Sequence, residues 1–315
     1  MEGMTCRPVR SARFASTLTL VVAVAVVGCA QEPDAPGTPT GSPSGTPSTS
    51  SPTTAPPTTA NPTTPTSSPT ASAAPTASGT LSSSPTATAQ PLACPASTGE
   101  SLKRAPGQGK TVALTFDDGP GPQTLQVADA LDAAGVHATF FVTGQHASAN
   151  PAVVKELARR GHLIAGHSWD HRYPKAVKGG WTTSFVTDQI NRTDAELQKS
   201  TSRPTCFFRP PGGFLDGVPA AARRTGATVV MWSIDSLDWK QPGSTTQAAT
   251  DAIVTHATRT EGQSHPIVLF HDAKASGEPD SKVSPNRSNT VAALPAAIDW
   301  YQKNGYTFVR LDGQR

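Results

Sequence analysis

Charge is scarce in this chain. Asp, Glu, Lys and Arg together make up 16% of the 315 residues, and the formal net charge is only +3. A protein that binds nucleic acid through many phosphate contacts needs more positive charge than this, so nucleic acid is excluded as the main partner. Cysteine is also sparse, with four residues in the whole chain, too few for a disulfide-built scaffold. The apolar run at Leu18–Val27 is too short to cross roughly 30 Å of hydrocarbon comfortably. Proline is abundant instead. Its 30 residues are concentrated in one stretch, so average composition describes no part of the chain well.

The chain divides by composition into three parts. Arg7, Arg10 and Arg13 precede the Leu18–Val27 run, in the pattern of an export signal. The run ends in Val26-Val27-Gly28-Cys29, which resembles a bacterial lipobox, where the cysteine carries lipid and becomes the first residue. An ordinary signal peptide cut elsewhere is the alternative. Residues 1–29 are therefore expected to be a lipoprotein signal peptide, with Cys29 as the lipidation site. Gln31 to Gln90 is almost wholly Pro, Thr, Ser, Ala and Gly. It has too few large apolar residues to offset the entropy of ordering, and its prolines stiffen it. Residues 30–92 read as a disordered tether, and 93–315 as the folded domain. With Cys6 in the leader and Cys29 lipidated, Cys94 and Cys206 remain. Two leftover cysteines in an oxidising exterior usually pair, and free thiols are the alternative.

From Cys94 onward, short apolar runs alternate with helical patterns. The runs are Thr111–Phe116, Ala138–Val142, Leu163–Ala165, Cys206–Phe208, Thr228–Ile234, Pro266–Phe270 and Tyr306–Leu311. Helical patterns occupy Thr124–Ala134, Pro151–Arg160, Thr183–Lys199, Val218–Thr225, Thr245–Thr258 and Val291–Asn304. Such alternation predicts an α/β fold with a parallel sheet and outer helices, and about seven units favour a distorted (β/α) barrel over an open sheet. In barrels of this kind the chemistry sits just past the strand ends.

Polar residues cluster at those positions. Thr111–Phe116 runs into Asp117-Asp118-Gly119-Pro120, adjacent carboxylates suited to holding a cation and acting as a base, or to a solvated turn. Leu163–Ala165 is followed by His167 and His171. That spacing puts both rings on one face of a helical turn, and two histidines with a carboxylate form a known catalytic zinc set. Two surface histidines would show the same spacing; the Asp-Asp pair at another strand end favours a metal. Arg209-Pro210-Pro211-Gly212-Gly213 joins a carboxylate-orienting arginine to glycines that admit close backbone approach. Asp235-Ser236-Leu237-Asp238-Trp239 sets carboxylates beside an aromatic wall. His271 ends a buried strand as a candidate general acid, or as a structural histidine. His137, His146, His162, His256 and His265 have no partners at ligand spacing and read as surface or structural.

Taken in order, Thr115-Phe116-Asp117-Asp118-Gly119, His167-Ser168-x-x-His171, Arg209-Pro210-Pro211-Gly212-Gly213, Asp235-x-x-Asp238-Trp239 and Leu269-x-His271 resemble the motifs of the polysaccharide deacetylase family. This is the NodB-homology, or carbohydrate esterase 4, group. The resemblance covers about residues 108–312. It implies a distorted barrel, a divalent metal (commonly zinc, with cobalt or manganese as alternatives), and an acetylated amino-sugar polysaccharide as substrate. By motif, Asp118, His167 and His171 are the metal ligands and Asp117 is the base, oriented by Arg209. His271 is the acid, tuned by Asp238 or alternatively by Asp235. Trp239 and Leu269 wall the acetyl pocket. Gly212 stands where the family often has tyrosine, so the backbone N–H is left as oxyanion donor and a side-chain contact to substrate is lost. With the leader and tether, the expectation is a monomer anchored by lipid on the outer face of the membrane, in the cell-wall layer. Peptidoglycan N-acetylglucosamine is the first substrate, chitooligosaccharide the second and O-acetylated xylan the third. A non-catalytic, metal-bearing glycan-binding module is the rival class.

Overall fold

The structure is a computed structural model that describes Cys94 and residues 97–315. Cys6, Cys29, the expected leader and the expected tether lie outside the described residues. Among the described residues, no helix is long and apolar enough to cross a membrane.

The expected α/β class holds. Among the described residues, nine strands form one sheet in the order β1-β6-β5-β4-β3-β2-β8-β7, with β9 also paired to β2. Every pairing is parallel. The strands are β1 (Ser101–Leu102), β2 (Thr111–Asp117), β3 (Thr139–Val142), β4 (Leu163–Gly166), β5 (Phe207–Phe208), β6 (Thr228–Val230), β7 (Ile234–Asp235), β8 (Ile267–His271) and β9 (Thr307–Phe308). The central strand β2 is buried along its full length, as a parallel strand covered on both faces must be. Phe140, Phe116 and Phe270 stack across β3, β2 and β8 with ring centroids 5.1 and 5.5 Å apart. These rings anchor β3 to β2 and β8, the two strands whose far ends lead to Asp117, Asp118 and His271.

Among the described residues, seven α-helices link these strands: α1 (Thr124–Ala133), α2 (Gly144–Ala149), α3 (Pro151–Arg159), α4 (Thr183–Thr201), α5 (Val218–Thr225), α6 (Gln247–Ala257) and α7 (Ser288–Lys303). Their ends follow local chemistry. Pro151 opens α3, where its missing N–H costs nothing. Thr182 and Thr246 cap α4 and α6 by accepting the N–H of Phe185 and Ala249. Gly226 stops α5 with φ +77°.

Several details differ from the expected pattern, among them the unforeseen edge strand β1. The run Thr228–Ile234 is not one strand. It splits because its first part pairs with β5 and β1, whereas Ile234 and Asp235 pair with β8 at the opposite edge. One extended segment thus serves both margins of the curled sheet and brings them towards closure. The short helix α2 has no apolar periodicity of its own and went unpredicted. Cys94 and Cys206 form a disulfide with Cα atoms 5.0 Å apart, tying the first described residue to the approach of β5.

Candidate active site

The motif residues converge at the C-terminal ends of the strands. Asp117 ends β2 and Asp118 follows it, His167 follows β4, Arg209 follows β5, and His271 ends β8. Asp117 and His271 are register partners on neighbouring parallel strands, so their side chains leave the same face of the sheet. A cleft of about 390 Å³ is lined by Asp117, Asp118, His167, His171 and His271, with Gly212, Trp239 and Leu269 among its walls.

One atom of each of Asp118, His167 and His171 lies within 4.8 Å of the others, and all three residues are buried. Asp118 Oδ1 is 3.3 Å from His171 Nε2 and 3.5 Å from His167 Nε2. These gaps are too wide for hydrogen bonds, and Asp118 Oδ1 is buried with no hydrogen-bond partner. His167 Nδ1 donates to the Arg209 carbonyl at 2.8 Å, which leaves Nε2 unprotonated and facing the carboxylate. Burial, reinforced by His171, pulls His167 down to about 3, so its ring is neutral. A second hydrogen bond that fixes the tautomer is how ligand histidines are usually held. An orphaned carboxylate oxygen facing two imidazole nitrogens fits a divalent cation.

His167 and His171 do not share a helix. They are joined by a loop in which Ser168 (φ +63°) and His171 (φ +51°) are both left-handed, and the Ser168 hydroxyl accepts the His171 N–H at 3.0 Å. The rings meet, with centroids 4.9 Å apart, through loop geometry and not helical periodicity. Asp118 is left-handed too (φ +78°). Its carbonyl accepts a 2.7 Å hydrogen bond from His146 Nδ1 on α2.

Beside this cluster, the fully buried Arg209 donates from Nη1 to Asp117 Oδ1 at 2.7 Å and to Thr115 Oγ1 at 2.9 Å. Its guanidinium lies 4.1 Å from the centre of the Phe141 ring. Burial pushes the Asp117 carboxyl above the usual range, although Arg209 and His271 pull it down. Asp117 Oδ2 sits 3.6 Å from His167 Nε2. On the neighbouring strand, His271 Nδ1 is 2.7 Å from Asp238 Oδ1, and the His271 backbone N–H donates to Asp238 Oδ2 at 2.7 Å. Burial alone would lower the imidazole, but the Asp238 carboxylate more than offsets it and raises His271 to about 9. Of the two carboxylates in that motif, Asp238 is the one that holds His271. Asp235 instead accepts the Leu237 N–H at 2.8 Å and builds the turn.

The family profile described as polysaccharide deacetylase matches residues 104–230. A peptidoglycan-N-acetylglucosamine deacetylase of Bacillus cereus is 35% identical over 208 residues, 65% of this chain and 87% of its own length. The chain belongs to the polysaccharide deacetylase family. A chitooligosaccharide deacetylase of Rhizobium leguminosarum bv. trifolii is 31% identical over 201 residues, covering 63% of this chain and 88% of the relative. The crystal structure of the Bc1960 peptidoglycan N-acetylglucosamine deacetylase shares 28% identity and a TM-score of 0.56, covering 68% of this chain and 94% of that one.

Several cleft residues had no signal in the sequence. Tyr173, Lys175, Phe214, Trp232 and Glu278 also line the cleft, alongside the predicted Asp235. Tyr173 donates its hydroxyl hydrogen to Glu278 at 2.7 Å, linking the loop after β4 to the loop after β8. His146, read as structural or surface, braces the backbone of a candidate metal ligand. Asp272 is buried behind the site, where burial pushes its carboxyl up to about 7. A Cβ on Gly119 would collide with that carboxylate, which explains glycine after the Asp-Asp pair.

Proposed function

We propose that this family member removes N-acetyl groups from an amino-sugar polysaccharide in the cell wall, with peptidoglycan N-acetylglucosamine as first substrate and chitooligosaccharide as second. One observation carries the reading. A carboxylate with a strong arginine partner and an imidazole with a strong carboxylate partner face one cleft, which the Asp118–His167–His171 cluster also lines.

Asp118, His167 and His171 would hold a divalent cation, and two histidines with one carboxylate suit zinc. Bound there, it would supply Lewis acidity towards the acetyl carbonyl and a water. The remaining roles belong to the chain itself. Arg209 occupies Asp117 Oδ1, so Oδ2 is the oxygen left to accept a proton from water as that water attacks the carbonyl carbon. The Gly212 N–H donates to the developing oxyanion, an interaction worth roughly 10²–10³ in rate in comparable sites. His271, kept protonated by Asp238, gives its proton to the departing amine nitrogen as the C–N bond breaks. Water and amide become acetate and a free amino sugar. Trp239 and Leu269, which line the cleft, would flank the acetyl methyl group.

The substrate order rests on the Bacillus cereus relative's activity and on the leader, lipidated Cys29 and tether expected in residues 1–92. These would hold the domain at the outer face of the membrane, within reach of the wall. The test is acetate release by the full chain from peptidoglycan, chitopentaose and acetylxylan in parallel, with and without chelator. The expected order is peptidoglycan, then chitopentaose, then acetylxylan, with all three abolished by chelation. Fastest release from acetylxylan would replace this reading with an O-acetyl esterase. Glycan binding without acetate release would replace it with a non-catalytic module.

A further inference from the structure

Among the described residues, the exposed large hydrophobic side chains are Phe214 and Leu215, 44% and 41% open to solvent. They are consecutive, and Phe214 lines the catalytic cleft. A scattered exposed leucine means little, but an open aromatic ring on the rim of a polysaccharide cleft calls for an explanation.

The ring is seated, not loose. It meets Tyr173 at 5.7 Å and Trp181 at 6.2 Å between centroids, both in edge-type geometry. Tyr173 meets the ring of His171 at 5.3 Å and is pinned by its bond to Glu278. Two ring-to-ring steps therefore connect Phe214 to a candidate metal ligand. Gly212 makes this packing possible. Its φ is +60°, and a Cβ there would fall 2.8 Å from Tyr173 Cε1 and 3.1 Å from Phe214 Cε2. The missing side chain at Gly212 is where the two rings come together.

We infer that Phe214, seated on Tyr173 and Trp181 over Gly212, is a stacking platform for a neighbouring pyranose ring of the substrate chain. It would bind a sugar next to the one being deacetylated. The C–H face of a pyranose is apolar, so an uncharged aromatic surface suits it, and the platform is continuous with the cleft that takes the reacting sugar. This inference rests on the deacetylase reading above. It predicts that activity rises with glycan length until the chain reaches Phe214.

The experiment compares the wild-type full chain with Phe214→Ala and Phe214→Trp. One arm measures kcat/KM on chitopentaose and on an aryl acetate that carries no sugar. The other measures chitopentaose affinity by calorimetry in chelator, where no turnover occurs. Phe214→Ala should lower the ratio of the two kcat/KM values about tenfold and weaken binding by a similar factor, the loss expected for one truncated aromatic anchor. Phe214→Trp should restore both. Equal losses on the two substrates, or unchanged pentasaccharide affinity, would overturn the platform. So would a shift from dimer to monomer with glycan affinity intact, which would make the patch a contact between copies. If the wild type binds chitopentaose through Phe214 but releases no acetate, the deacetylase reading fails and the platform stands.

Discussion

The two sides of the cleft differ in how fully they satisfy their own polar groups. On the side of His271, the ring and the backbone N–H both reach Asp238, and the Thr290 hydroxyl also donates to Asp238 Oδ2 at 2.8 Å. On the side of Asp118, the carboxylate oxygen Oδ1 and His171 Nδ1 are buried with no hydrogen-bond partner. Buried polar atoms without partners are costly and uncommon. A closed network holds a proton where it is wanted. An open one is arranged for something the chain does not itself contain. The same sheet thus presents one part whose polar groups satisfy each other and another that leaves buried ligand-type atoms unmet.

Breaking the open half should have the larger effect. His167→Ala is expected to lose the cation and reduce turnover by more than the roughly 10²–10³ that a single oxyanion donor contributes. Metal analysis after dialysis, alongside acetate release, checks both. Asp117→Asn sharpens the contrast, because it keeps all three candidate ligands. It should retain stoichiometric metal yet lose about 10²–10⁴ in kcat, the range for a general base. Wild-type turnover in Asp117→Asn would remove Asp117 from the mechanism.

On the closed half, the prediction concerns pH. His271 must be protonated to act as an acid, and its value near 9 means the proton is lost as pH rises through 9. Activity should therefore hold through neutral pH and fall on the alkaline side. Asp238→Asn removes the partner that raises His271, and burial then pulls it below the ordinary value of about 6.5. The alkaline limb should move down to that value or lower, with a loss of at least about thirtyfold at pH 8 and a much smaller loss at pH 5. A pH–rate profile of the variant parallel to wild type would show that Asp238 does not set the acid.

Much of this contrast was legible in the sequence, for a definable reason. Asp117, Asp118, His167, Arg209 and His271 each directly follow or end an apolar strand run, and in a parallel sheet those ends must lie together. Local pattern was enough to place them. His171 was reached for an incomplete reason, since its spacing from His167 suggested a helical turn and the chain uses left-handed loop residues instead. Tyr173, Phe214 and Glu278 could not be read, because each lies in an irregular loop and reaches the cleft through contacts distant in sequence. The Tyr173–Glu278 bond spans 105 residues, and no periodicity encodes such a pairing. Gly212 shows the limit clearly. Its glycine identity registered as a lost side chain, but the rings that pack around that gap emerged only in three dimensions.

The smallest effect should come from Thr290, which closes the network from α7 and touches neither the cleft nor His271. Thr290→Val keeps the shape and removes one donor to Asp238 Oδ2, which still accepts the His271 backbone N–H. Because that oxygen keeps one partner, the stability loss should sit near the low end for a buried hydrogen bond, about 1 kcal/mol. The imidazole keeps its direct bond to Oδ1, so the alkaline limb should stay within a few tenths of a pH unit of wild type, with kcat changed by a factor of about two or three. Denaturant melts and a pH–rate profile measure the two quantities separately. A drop in the alkaline limb as large as that of Asp238→Asn would mean that Thr290, not the carboxylate alone, keeps the acid protonated, and the closed half would then behave as one cooperative unit.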